Sequence, residues 1–116
     1  MAGIVDIHLE IVRKFEKYRR GYMSYAKVIK KLAEKHFEGL HGLYVFGSVS
    51  SQKYHPLSDI DVAIVLLKPA EEEVRVDFYR KVRETFGLNH PFEFHIITKE
   101  EWNGWYSKFV KDFVEI

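Results

Sequence analysis

Leu43-Tyr44-Val45-Phe46-Gly47-Ser48, then ten residues, then Asp59-Ile60-Asp61-Val62-Ala63-Ile64-Val65-Leu66, is the stretch of this 116-residue chain that decides its fold. Leu43 to Phe46 is a short continuous apolar run, the pattern of a strand buried on both faces. It stops at Gly47, where a tight turn needs positive φ or close backbone approach, and glycine serves both. Residues 49–58 are polar and predict a loop, or a short helix followed by a turn. A second strand then runs from about Ile60 to Leu67 and is stopped by Pro69. Two residues apart on that strand, Asp59 and Asp61 project from one face, which continues as Ala63 and Val65. Ile60, Val62, Ile64 and Leu66 line the other. Two carboxylates about 4 Å apart repel by roughly 4 kcal/mol at an effective dielectric near 20. A fold tolerates such a pair where a cation neutralises it or where one acid keeps its proton.

Outward from this core, Ile11, Phe15, Tyr18, Tyr22, Ala26, Ile29 and Ala33 form one apolar stripe at helical spacing, which predicts helix over about 4–38. Gly21 interrupts it and weakens the helix by roughly 1 kcal/mol relative to alanine, so a bend or break is expected there. Ala70 to Phe86 predicts a helix with Glu71, Glu72 and Glu73 at its positive end, Arg80, Lys81 and Arg83 near the other, and Gly87 as its stop. Phe92 to Thr98 alternates as a third strand. Thr98 and Glu101 form a capping box opening a last helix that carries Trp102, Tyr106, Phe109 and Phe113, with Asn103-Gly104 a poor helix interior. These elements predict an α/β (α+β) architecture, a small mixed sheet of about three strands with helices packed on it. Their order is α-β-(α)-β-α-β-α, with residues 1–116 as a single domain.

Composition narrows the function classes. Hydrophobic residues at 47% exclude a disordered chain. A net charge of +1 gives no global reason to expect nucleic acid or an anionic membrane, and nucleic acid stays possible but not indicated. Between Arg13 and Lys35, nine basic residues face two acids, which reads first as the solvated face of a helix. No cysteine is present, so disulfides and thiolate metal sites are excluded, and a cytoplasmic location is expected. No apolar run reaches the roughly 18 residues of a membrane span. Only Gln52, Asn89 and Asn103 carry side-chain amides, a profile that leans towards a thermophilic source.

Glu93 supplies a third carboxylate. It interrupts a strand otherwise made of Phe92, Phe94, Ile96 and Ile97, with His95 on its own face. An acid there is costly unless solvated or paired. Two readings stand: the wet face of an edge strand, or a member of a metal site acting as ligand or as base for an attacking hydroxyl. Ser48, if it caps a short helix, points a hydroxyl and backbone N–H groups at an anion. A phosphate-binding turn beside a carboxylate pair is the arrangement that metal–triphosphate chemistry requires.

Phe46-Gly47-Ser48, the ten-residue spacer that ends in Ser58, and Asp59-Ile60-Asp61-Val62-Ala63-Ile64-Val65 resemble the polymerase-β-type nucleotidyltransferase superfamily, and more closely its minimal nucleotidyltransferases. The resemblance implies that fold, Mg²⁺ held by Asp59 and Asp61 with Glu93 as the third acid, and a two-metal site when nucleotide is bound. It implies that Gly47 and Ser48 contact the triphosphate, with Lys53 and Ser58 as further nucleotide-binding candidates. The implied activity transfers a nucleoside monophosphate, AMP from ATP, to a protein or RNA acceptor. The implied partner is a HEPN-type toxin, for which such proteins act as antitoxin; the alternative is a weak or inactive binding module that neutralises it by contact. Members often carry Arg then Gly shortly after the Gly-Ser turn, whereas this chain has Ser51 and Gln52, with Lys53 next. A point charge replaces a bidentate guanidinium less than fully. The aromatic C-terminus could pack as core or supply an interface, and oligomerisation stays open. A glycosyltransferase using Asp-x-Asp fits poorly because the chain is too short for that fold.

Overall fold

The helical stripe folds as two helices, α1 (Ile4–Arg20) and α2 (Tyr22–His36), parted at Gly21 as its position predicts. A Cβ on Gly21 would sit 3.1 Å from the Tyr25 ring, so the junction is tight as well as flexible in sequence terms. The structure, a computed structural model, describes residues 3–47, 58–106, 108, 110 and 112–116. Residues 48–57, which hold Ser48, Ser51, Gln52 and Lys53 and all but the last residue of the segment read as a loop or short helix, lie outside the described residues.

Strands β1 (Leu40–Phe46) and β2 (Ile60–Leu66) pair antiparallel, with Phe46 opposite Asp61 and Leu43 opposite Ile64. Helix α3 (Glu72–Phe86) carries the chain across to β3 (Phe92–Thr98), which pairs parallel to β2 with Asp61 beside Glu93. A parallel neighbour needs such a crossover, because a two-residue turn cannot reverse the direction twice. A fourth strand, β4 (Phe113–Glu115), adds to the far side of β1, and the sheet order is β3-β2-β1-β4.

The predicted mixed sheet is present, with one strand more than the three expected. That strand comes from the segment read as the last helix. Thr98 caps as predicted: its Oγ1 accepts from the Glu101 backbone N–H at 3.2 Å, and Glu101 Oε1 accepts from the Thr98 N–H at 3.2 Å. The helix it opens, α4 (Lys99–Glu101), passes at once into a π-helical turn over Trp102–Tyr106. Asn103 and Gly104 sit inside that turn, where both are poor helix formers. The chain then reaches β4, so Phe113 belongs to a strand, and its ring meets Tyr44 edge-on at 5.7 Å.

The two sheet faces bury different things. Leu43, Val45, Ile60, Val62, Ile64, Leu66, Phe92 and Phe94 face the helices and meet Tyr18, Ile29, Phe37, Phe78, Val82 and Phe86 in the main core. On the other face Phe46, Ala63, Val65 and Ile97 are covered by Trp102, with Tyr44, Tyr106 and Val110 around them. This second cluster caps only part of that face. Its open end is where Asp61, Glu93 and His95 emerge.

Candidate active site

Three strand ends build the site. β1 stops at Phe46, β2 opens at Ile60, and β3 opens at Phe92, so Asp61 sits in register between Phe46 on one side and Glu93 on the other. Neighbouring strands lie about 4.8 Å apart, which sets the two carboxylates side by side on one face. Asp59, immediately before β2, lies close enough to Glu93 to push its carboxyl upward, while the donor atoms that could share one ion are those of Asp61, Glu93 and His95. The three acids marked in the sequence are therefore brought together. β3 is also an edge strand with Glu93 exposed, as the first of the two readings of Glu93 expects.

Gly47 turns at φ +85°, a left-handed conformation, and a Cβ built on it would overlap Asp61 Oδ2. The glycine is required twice: for its backbone angle and for the space the carboxylate occupies. Ser58 is placed by a residue that sequence reasoning counted among solvated bases. Arg19 is 2% exposed, and its Nη2 donates to the Ser58 carbonyl at 2.6 Å while its guanidinium lies 5.7 Å from the Phe15 ring centre. The contact fixes the chain one residue before Asp59. Spacing gives only a hint of it, four residues after Phe15 and next to Tyr18; the partner carbonyl, distant in sequence, is what identifies the contact.

His95 is the other residue whose part sequence reasoning did not draw out beyond its shared face. Its Nε2 lies 3.2 Å from Asp61 Oδ1. The ring packs against Phe46 at 5.1 Å and Tyr106 at 5.8 Å, which hold it towards the acids. The electrostatics are those of a crowded negative site. Partial desolvation, the Asp59 hydrogen bond and then the charges of Asp61 and Asp59 push the Glu93 carboxyl above its ordinary value, with His95 pulling against them. The hydrogen bond to Asp61 and the charges of Asp61 and Glu93 raise His95 against the opposing effect of burial.

Donor atoms of Asp61, Glu93 and His95 lie within 4.8 Å of one another. Ligands on opposite sides of an ion bound at roughly 2.1 Å are about 4.2 Å apart, so movements below an ångström would let one divalent ion bridge them. The donor set and its unneutralised charge fit a divalent cation. A cleft of about 410 Å³ opens along the outer edge of β3 beside the site, lined by Arg75, Tyr79, His95 and Tyr106 among others. A larger one of about 590 Å³ lies around Gly39, Leu67 and Lys68, at the far end of β2 from Asp61.

This fold and site define a class that carries carboxylates on adjacent strands behind a glycine turn. Residues 27–108, more than half of the chain, match the family described as polymerase beta, nucleotidyltransferase. The chain belongs to the polymerase beta nucleotidyltransferase family. A crystal structure of a provisionally assigned nucleotidyltransferase is 35% identical over 83% of this chain and 98% of that one, with a TM-score of 0.62. Another, from Sulfolobus solfataricus, shares the fold at 22% identity and a TM-score of 0.58 over 88% of this chain and 85% of that one. A toxin–antitoxin complex solved with AMP-PNP matches 57% of this chain and 53% of that one at 26% identity, with a TM-score of only 0.44. A search of curated proteins finds no match.

Proposed function

We propose that the domain transfers AMP from ATP to a hydroxyl of a protein or RNA acceptor in a Mg²⁺-dependent reaction, and serves as antitoxin to a HEPN-type partner. The observation that carries the catalytic reading is the cluster itself: Asp61, Glu93 and His95 bring donor atoms within 4.8 Å of one another, with Asp59 beside Glu93, behind a glycine pressed against Asp61. Adenylyl transfer and the HEPN partner rest on the resemblance of the Gly47 to Val65 motif to minimal nucleotidyltransferases. Divalent metal, when bound, supplies positive charge to the triphosphate and to the oxygens that attack and leave. Asp59 and Asp61 are the residues that hold it, with Glu93 as third ligand.

The remaining work falls to side chains and backbone. Gly47 lets the chain approach the phosphates closely, with Ser48, Lys53 and Ser58 as their further contacts. The acceptor oxygen forms a bond to the α-phosphorus as the bond to the β-phosphate oxygen breaks, and pyrophosphate leaves. Glu93, beside Asp59 and Asp61, is the carboxylate placed to take the acceptor's proton. His95 hydrogen-bonds Asp61 and keeps its carboxylate turned to the site. The test incubates the protein with labelled ATP, Mg²⁺ and its genomic-neighbour protein. Transfer that disappears in Asp59→Asn/Asp61→Asn supports the enzyme. Absence of transfer, with inhibition of the partner surviving the double change, leaves the second reading, a binding module, which Ser51 and Gln52 in place of Arg-Gly favour.

A further inference from the structure

We infer that His95 adds an imidazole nitrogen to the carboxylate ligands of the proposed metal site, next to Asp61 and Glu93, so that the site prefers a transition-type divalent cation, manganese first among them. The inference rests on the metal-dependent reading above and specifies which metal the site prefers. Glu93 and His95 are two residues apart on β3, so both side chains leave the same face, and the register of β3 on β2 sets Asp61 beside Glu93. All three donor atoms fall within 4.8 Å of one another. The separation of His95 Nε2 from Asp61 Oδ1, 3.2 Å, suits a hydrogen bond. It also suits two neighbouring ligands of one ion, since donors bound at roughly 2.2 Å and at right angles lie about 3.1 Å apart. Phe46 and Tyr106 pack the ring, which spares the ligand part of the rotamer freedom it would otherwise lose on binding.

The chemistry of the donor set then discriminates among metals. Mg²⁺ takes oxygen ligands and gives up its waters reluctantly, so an imidazole adds little to its binding. Mn²⁺, Fe²⁺, Co²⁺ and Zn²⁺ accept a neutral imidazole nitrogen alongside carboxylates. A site of oxygens alone would bind Mg²⁺ and Mn²⁺ more evenly than one with His95 in it.

The experiment uses the full chain without nucleotide. Mn²⁺ is titrated and followed by electron paramagnetic resonance, and electron spin-echo modulation detects a directly coordinated ¹⁴N. Wild type is expected to show ¹⁴N modulation. His95→Gln, whose amide can still hydrogen-bond Asp61, should lose it and bind Mn²⁺ about tenfold more weakly, with Mg²⁺ affinity changed by less than about threefold. Manganese bound without ¹⁴N modulation in wild type overturns the inference, and that measurement needs no variant to fold. Equal weakening of Mn²⁺ and Mg²⁺ in His95→Gln also overturns it and leaves His95 as a positioning residue for Asp61. Either failure leaves the transferase reading intact, because that reading is tested by label transfer in wild type against Asp59→Asn/Asp61→Asn and not by whether His95 touches the metal.

Discussion

Gly47 and Asp61 occupy one another's space, and a single methyl group tests this. Gly47→Ala meets a left-handed φ, costing about 1–2 kcal/mol, and its Cβ also pushes on the Asp61 carboxylate. The expected outcome is a lowered melting temperature together with loss of Mg²⁺ binding by calorimetry. Gly104→Ala is the control, since nothing lies within 4 Å of its Cβ, and it should bind metal as wild type does. The acids and the histidine give a second residue-scale prediction, in pH. Glu93 and His95 both hold protons more tightly in the fold than in the unfolded chain. Each adds stability that is complete below its ordinary value, 4.5 for the glutamate and 6.5 for the histidine, and is lost as pH rises through its higher folded value. Metal-free protein should therefore lose stability across this window as pH rises, and saturating Mg²⁺ should flatten the slope. His90, pushed down by burial and Lys14, contributes the opposite sign, so the difference between wild type and His95→Gln is what isolates His95. Denaturant melts of both proteins from pH 5 to 8 read that difference, and parallel curves would remove the assigned coupling.

At the scale of elements, α1 reaches the site through one side chain. Arg19 is buried and donates to the Ser58 carbonyl, so a helix nearly forty residues upstream sets where Asp59 begins. A hydrogen bond from a charged donor contributes about 1.5–3 kcal/mol, and Arg19→Met keeps the stem's packing while removing it. The variant should lose stability of that order by denaturant melting and should bind Mg²⁺ more weakly. Unchanged metal affinity would show that Asp59 is placed by β2 alone. Arg19 also marks where sequence reading stopped. Asp61 was legible because a place on a strand fixes its face, whereas Asp59 falls just before β2, and the Gly21 break and Thr98–Glu101 cap were legible because each is a local rule. Arg19 was not, because a base within a basic helix reads as solvated until the partner carbonyl, distant in sequence, is known. Strand β4 was hidden for a related reason. Trp102, Tyr106, Phe109 and Phe113 repeat at helical spacing, yet what decides Phe113 is its pairing opposite Phe46, a contact between distant segments.

Across the whole molecule, the family match over residues 27–108 leaves α1 and β4 outside it, and the two differ in how they are tied down. Ile4, Val5, Ile7 and Leu9 in the first turns of α1 are exposed, Ile4 at 87%, and the helix buries side chains only near its end, at Tyr18 and Arg19. β4 is short but covers the outer edge of β1: Val114 pairs with Val45, the Ile116 N–H donates to the Leu43 carbonyl at 2.9 Å, and Lys30 Nζ donates to the Ile116 carbonyl at 2.6 Å. Those two hydrogen bonds at Ile116 alone are worth about 1–3 kcal/mol together. Without β4, β1 would offer a row of free backbone groups to any neighbouring chain. A chain that starts at Glu10 should thus keep its stability to within about 0.5 kcal/mol, because residues 3–9, the described part of the segment removed, are all exposed. A chain that ends at Asp112 should melt lower and associate, and size-exclusion chromatography against concentration reads that directly. Phe113 rests edge-on against both Tyr44 and Trp102, so the shorter chain should also loosen the cluster beneath Phe46 and Tyr106. Those two rings hold His95, which makes its line width in NMR spectra a reporter of the loss, although the residues removed touch none of the three acids.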